Sequence, residues 1–221
     1  MASEHIYKQY DSDLEAIRAK VLEMGTLVEE QTSNAIQSLL NTDVKLAEQV
    51  MKRDDQINDL EVLIDEEASL LIAKRSPAAG DLRNIMMMLK IITDLERMGD
   101  EAAKIARSTT RIFEDNRMNK PKFNEIKGMA KAVQEMIKTA LNSFARLDLT
   151  DTIDILEKDK QVDDDYRSTM RQLLTFMLED PRTISMSLES MFIAKSLERI
   201  GDHAVNISQS VIYTVKGKDV R

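Results

Sequence analysis

The chain has 221 residues, 43% of them hydrophobic and 32% charged, with 31 Lys and Arg against 39 Asp and Glu for a formal net charge of −8. That balance suits a well-packed globular chain. It argues against nucleic acid as the main partner, which needs a basic face, and against direct binding to an anionic lipid surface.

The absence of cysteine excludes disulfides and thiolate metal sites. Six Gly, three Pro, no Trp and 4% aromatics leave little for the turns and strands of a β protein, so the expected fold is all-α. The opening MASEHIYKQY has neither a basic start nor an apolar core, so no signal peptide is expected and the cytoplasm is the default location. No apolar run is long enough to span a bilayer.

Six long helices are predicted. The first covers 9–40, with Leu14, Ile17, Val21, Met24 and Val28 at spacings of three and four. Asn41, Thr42 and Asp43 end it and cap the second, 43–75, whose stripe is Ile57, Leu60, Ile64 and Leu71. Pro77 separates this from the third, 79–113, where Ile85, Leu89 and Ile92 lead into Glu96. Residues 114–122, with Asn116, Asn119 and Pro121, read as a linker. The fourth helix, 123–148, carries Ile126, Val133, Ile137 and Leu141. Thr150 and Asp151 start the fifth, 151–178, and Pro181 precedes the sixth, 182–214. The polar tail from Lys216 is expected to fray. The 14 methionines suit core filling or adaptable helix interfaces.

Helices of about 30 residues are about 45 Å long, and short connections make neighbours antiparallel. The simplest architecture is two up-down-up three-helix bundles, 1–115 and 120–221, related by a pseudo-twofold and able to share one elongated body.

The two halves repeat. Residues 95–106 read LERMGDEAAKIA and residues 197–208 read LERIGDHAVNIS, with Leu, Glu, Arg, Gly, Asp, Ala and Ile identical. Each copy holds a Glu and an Asp four residues apart, Glu96/Asp100 and Glu198/Asp202. Upstream, Asp54/Asn58 and Asp159/Asp163 form a second such pair in each half. Residues i and i+4 share a helix face, and like charges so placed repel by a few tenths of a kcal/mol. Two pairs facing each other across antiparallel helices would offer four oxygen side chains. With no Cys and only two His, such a set suits a hard cation: Mg²⁺, Mn²⁺, Ca²⁺ or oxidised iron.

Solvated acidic faces paired with Arg97 and Arg199 would account equally well for the spacing alone. The double occurrence favours a site. So do Gly99 and Gly201 at matched offsets, since a mid-helix glycine costs about 1 kcal/mol against alanine. His203 follows Asp202 and is a further candidate ligand; its counterpart in the first half is Glu101. His5 is assigned no role. No phosphate loop, Ser/His/Asp set or Glu-x-x-His pair is present, so no enzyme chemistry is expected.

The doubled LERxGDxA motif, each copy preceded by an Asp54–Asn58 or Asp159–Asp163 segment and a proline turn, resembles the PhoU family of phosphate-signalling regulators. The opening HIYKQYDSDLEAIRAKVLEMG is similar to that family's first segment, and the resemblance covers about residues 5–213.

It implies a six-helix, two-bundle fold and a non-enzymatic negative regulator of the phosphate-starvation response. Such a protein is cytoplasmic and peripheral to the inner membrane through its partners. It couples the ATPase subunit of the phosphate ABC transporter to a sensor histidine kinase and often forms a homodimer. It also implies metal binding at Asp54, Glu96, Asp100, Asp159, Asp163, Glu198 and Asp202, with Mg, Mn, Fe or Zn as candidate ions. The chain departs from the family pattern at Asn58, where Asp is usual, and at Glu101, where His is frequent. The first site is therefore expected to be the weaker. The competing expectation is a metal-independent helical adaptor whose acidic faces meet basic partner surfaces.

Overall fold

The structure, a computed structural model, describes residues 2–114, 124–150 and 152–216. The helices are α1 (Ala2–Asn41), α2 (Val44–Arg75), α3 (Ala79–Glu114), α4 (Asn124–Arg146), α5 (Thr152–Glu179) and α6 (Ile184–Lys216). A 3₁₀ turn at Pro181–Thr183 precedes α6. The fold is all-α: α1–α3 pack as one three-helix bundle and α4–α6 as a second, related by a pseudo-twofold. α1 begins earlier than its apolar stripe suggests. Most of the predicted linker, and the tail beyond Lys216, lie outside the described residues.

The ends of α1 and α4 repeat each other in detail. Thr42 and Leu147 both take left-handed backbone, with φ of 60° and 52°. The next amide in each donates back across the last turn, Asp43 N to Ser38 O at 2.8 Å and Asp148 N to Ser143 O at 3.2 Å. This satisfies carbonyls that the helix end leaves open. The Asp43 carboxylate then accepts from Leu46 N and caps α2 as expected. Pro77 lies between α2 and α3, and Pro181 opens the 3₁₀ turn with Asp180 as its cap.

The predicted stripes are the core. Ile17, Val21, Met24 and Val28 of α1 are buried, as are Ile57, Ile64 and Leu71 of α2 and Ile85 and Ile92 of α3. Ile126, Val133, Ile137 and Leu141 bury α4. Methionines 24, 88, 98, 129 and 136 lie inside, so much of the methionine content fills core. The two bundles form one body. The most extensive helix contact of all joins α3 to α6, and α1 also meets α4. At the second contact Gly25 admits Leu141, whose Cδ2 would stand 2.5 Å from a Cβ at that position. No helix among the described residues is long and apolar enough to cross a membrane.

Candidate metal centres and the seam between the bundles

In the first bundle α2 and α3 bring Asp54, Glu96 and Asp100 together. Asp54 is half-buried, and burial pushes its carboxyl up; a hydrogen bond from Gln31 Nε2 at 2.9 Å resists this, and the Asp100 and Asp55 charges add to it. Burial likewise pushes Glu96 up, relieved by Arg97 and reinforced by Asp100, Glu61 and Asp54. Arg97 Nε is 3.1 Å from Glu96 Oε2 but makes no hydrogen bond to it, and this buried oxygen is left without a hydrogen-bond partner. Glu61, absent from the sequence reading, is a fourth carboxylate of this cluster, itself pushed up by burial. It stands one turn beyond Asn58, so the charge that Asn58 lacks is supplied on the same helix face.

In the second bundle α5 and α6 bring together Asp159, Asp163, Glu198 and Asp202. Asp159 is the most perturbed: burial, then the charges of Asp202, Asp163 and Glu198, push its carboxyl up to about 6. Asp202 is raised by burial and by Glu198, with Lys195 opposing. Lys195 Nζ donates to both Glu198 oxygens, at 2.7 and 2.5 Å, and lies 5.4 Å from the centre of the Tyr166 ring. Arg167 donates to Asp163 at 3.3 Å.

The two clusters differ for a physical reason. Gln31 also donates to Gly99 O at 3.3 Å, so an amide from α1 sits between the glycine and Asp54. At Gly201 the neighbour is the apolar end of Met136, whose Cε would stand 3.5 Å from an added Cβ. Asp159 therefore has no equivalent amide donor. In both bundles the glycine leaves room for the facing carboxylate: an added Cβ would stand 3.4 Å from Asp54 Oδ1 at Gly99, and 3.8 Å from Asp159 Oδ1 at Gly201.

His203 turns elsewhere. Its Nδ1 lies 2.8 Å from Asp94 Oδ1 on α3, and Asn206 donates to the same oxygen at 3.2 Å. Sequence neighbours on a helix do not face each other, so adjacency to Asp202 places the imidazole at the seam between α3 and α6. Its counterpart Glu101 lies there too. Burial pushes the Glu101 carboxyl up, but hydrogen bonds from Ser196 at 2.7 Å, Lys104 at 2.9 Å and Arg199 at 3.1 Å outweigh it and hold it below its ordinary value. Counting from Glu96 and Glu198, position 101 corresponds to 203 and position 94 to 196. The Glu101–Ser196 and His203–Asp94 contacts are thus the same contact, made twice across the pseudo-twofold.

All-oxygen donors at the two clusters, a buried carboxylate oxygen without a hydrogen-bond partner, and mutual repulsion fit a hard cation. As the side chains stand, no three carboxylate or imidazole groups among the described residues converge tightly enough to enclose one ion.

A three-helix bundle with one carboxylate cluster occurs in each repeat, and so does the family model that the chain matches. The model described as "PhoU domain" matches residues 21–109 and again 126–211. The chain belongs to the PhoU family. A "phosphate-specific transport system accessory protein PhoU homolog" of Pseudomonas aeruginosa is 45% identical over 217 residues, 98% of this chain and 89% of the relative. The Escherichia coli K12 accessory protein PhoU is 41% identical over 99% of this chain and 90% of its own length. The crystal structure of PhoU from Pseudomonas aeruginosa superposes with a TM-score of 0.91 at 44% identity, over 95% of this chain and 100% of that one. The phosphate transport system regulatory protein PhoU from Streptococcus pneumoniae gives 0.87 at 27% identity, over 96% and 99%. The six-helix, two-bundle arrangement expected of a PhoU protein is the one observed.

Proposed function

We propose that this protein regulates phosphate transport and represses the phosphate-starvation response. It does so by stoichiometric contact, coupling the ATPase subunit of a phosphate ABC transporter to a sensor histidine kinase. It works in the cytoplasm, peripheral to the inner membrane through these partners, and as a homodimer. The observation that carries this reading is similarity along nearly the whole chain to phosphate-specific transport accessory proteins. A deletion strain should express phosphate-starvation genes in high phosphate; normal repression there would refute the assignment.

The carboxylate clusters are the proposed cation sites. Asp54, Glu61, Glu96 and Asp100, with Asn58 as a neutral oxygen donor, would hold one ion or cluster. Asp159, Asp163, Glu198 and Asp202 would hold the other, with His203 beside them at the seam. A bound Mg²⁺, Mn²⁺, iron or Zn²⁺ supplies positive charge where the fold gathers negative charge. The protein's own part is to hold the oxygens on rigid helices, the glycines admitting the α2 and α5 carboxylates. One observation favours a metal-independent adaptor instead: among the described residues no three groups enclose an ion as the side chains stand. Metal analysis of untagged protein, with melting in EDTA and in added Mn²⁺, separates the two. An unchanged melting temperature would leave the adaptor.

A further inference from the structure

Arg83 and Lys90 stand two turns apart on α3, and both lie over the same aromatic ring. The Arg83 guanidinium is 5.9 Å and the Lys90 ammonium 5.8 Å from the centre of Tyr213 on α6. Neither makes an ion pair among the described residues, although Asp65 of α2 lines the same cleft. The cleft has a volume of about 530 Å³, between α2, α3 and α6, and none of the candidate metal ligands lines it. Met86, which is exposed, and the buried Met87 give it an apolar floor, while Gln209 and Ser210 add neutral polar groups.

We propose that this cleft binds a nucleoside phosphate. Its size is that of a small-molecule site, in the range of about 300–1,000 Å³. Asp65 and Asp94 balance Arg83 and Lys90 in the lining, but Asp94 is engaged by His203 and Asn206, which leaves the two cations without ion pairs among the described residues, and both residue types bind phosphate by charge-assisted hydrogen bonds. Methionine side chains and a half-exposed tyrosine offer flat, adaptable contact for a base. Asp65 would repel a second phosphate but accepts hydrogen bonds from ribose hydroxyls or an exocyclic amine, which selects an organic body attached to the anion. Inorganic phosphate alone would leave most of the volume, and Asp65, unengaged.

The test is calorimetric titration of the full chain with AMP, ADP and inorganic phosphate, in EDTA so that nucleotide-bound metal plays no part. A nucleotide should bind saturably and inorganic phosphate at least about tenfold more weakly. Arg83→Gln/Lys90→Gln should weaken nucleotide binding on the order of tenfold or more, as expected for loss of hydrogen bonds to a charged group. Asp65→Asn should weaken it a few-fold. All three positions are exposed, and unchanged melting curves would show that the variants remain folded. The proposal is overturned by any one of three results: no saturable nucleotide binding, inorganic phosphate binding equally well, or nucleotide binding indifferent to Arg83→Gln/Lys90→Gln. If no nucleotide binds and the double substitution instead abolishes association with an acidic protein partner, the cleft is a docking surface and the proposal also falls. Binding is read on purified protein, so its failure is distinguishable from failure of the regulatory reading.

Discussion

Asp159→Asn should stabilise the metal-free protein at neutral pH. In the fold Asp159 holds its proton up to about pH 6, against an ordinary value of 3.8. Below the ordinary value neither folded nor unfolded chain is ionised there, and burial carries no penalty. As pH rises through about 6 the folded carboxylate ionises against Asp202, Asp163 and Glu198, so stability is lost between about pH 4 and 6 and stays lower above. At about 1.36 kcal/mol per pKa unit the shift of about two units sets an upper bound of roughly 3 kcal/mol. Asp159 is only partly buried, and solvent screening reduces this to roughly 1–2 kcal/mol.

The asparagine removes that penalty with little change of shape. In EDTA at pH 7.5 its melting temperature should rise by roughly 2–8 °C, given about 2–4 °C per kcal/mol for a chain of this size. At pH 4 the difference should nearly vanish. Denaturant titrations of both proteins at the two pH values measure it. A variant less stable than wild type at pH 7.5, or a gain that persists undiminished at pH 4, would refute the electrostatic account of this cluster.

Glu101→Ala should cost about 1–3 kcal/mol at neutral pH by urea unfolding, because it leaves the buried Ser196 hydroxyl without its acceptor and breaks the ion pair to the solvent-exposed Arg199. Because the Glu101 carboxyl is held below its ordinary value, this contribution is present above that value, and the gap between wild type and variant should close as pH falls through the depressed one. Gly201→Ala should stabilise the metal-free protein by up to about 1 kcal/mol in thermal melts, since its Cβ meets Met136 at an ordinary 3.5 Å. Gly99→Ala should gain less or lose, because Ile57 Cδ1 would stand 3.0 Å away. Added Mn²⁺ should raise the melting temperature, by about 2.7 kcal/mol of stability at a hundredfold excess over Kd. Glu198→Ala/Asp202→Ala should remove more of that rise than Glu96→Ala/Asp100→Ala, because Gln31 already satisfies part of the first cluster.

The helices were legible because burial in a bundle is written as apolar residues three and four apart, and because prolines 77 and 181 interrupt the pattern where helices end. The carboxylate pairs were legible because i,i+4 spacing is a local property of a helix. Gln31 was not, since it arrives from a third helix and belongs to no repeated motif. Glu61 was hidden by the repeat itself: the corresponding place in the second half holds Tyr166, which takes Lys195 over its ring. His203 showed how far adjacency misleads, as one step along a helix turns a side chain to another neighbour.

The paired contact at the seam also bears on which halves can recognise each other. Were the first bundle to meet a second copy of itself through α3, the place of Ser196 would be taken by Asp94, and Glu101 would face a carboxylate on both sides of the axis. Two copies of the second bundle would set His203 against Ser196, a pairing without charge conflict but without the ion pair to Arg199. In the mixed pairing each acid faces donors and no second acid: Glu101 takes Ser196 and Arg199, and Asp94 takes His203 and Asn206. Divergence at positions 94/196 and 101/203 thus sets an acid opposite a neutral or basic partner at both ends of the seam, where like halves of the first kind would set Glu101 against Asp94.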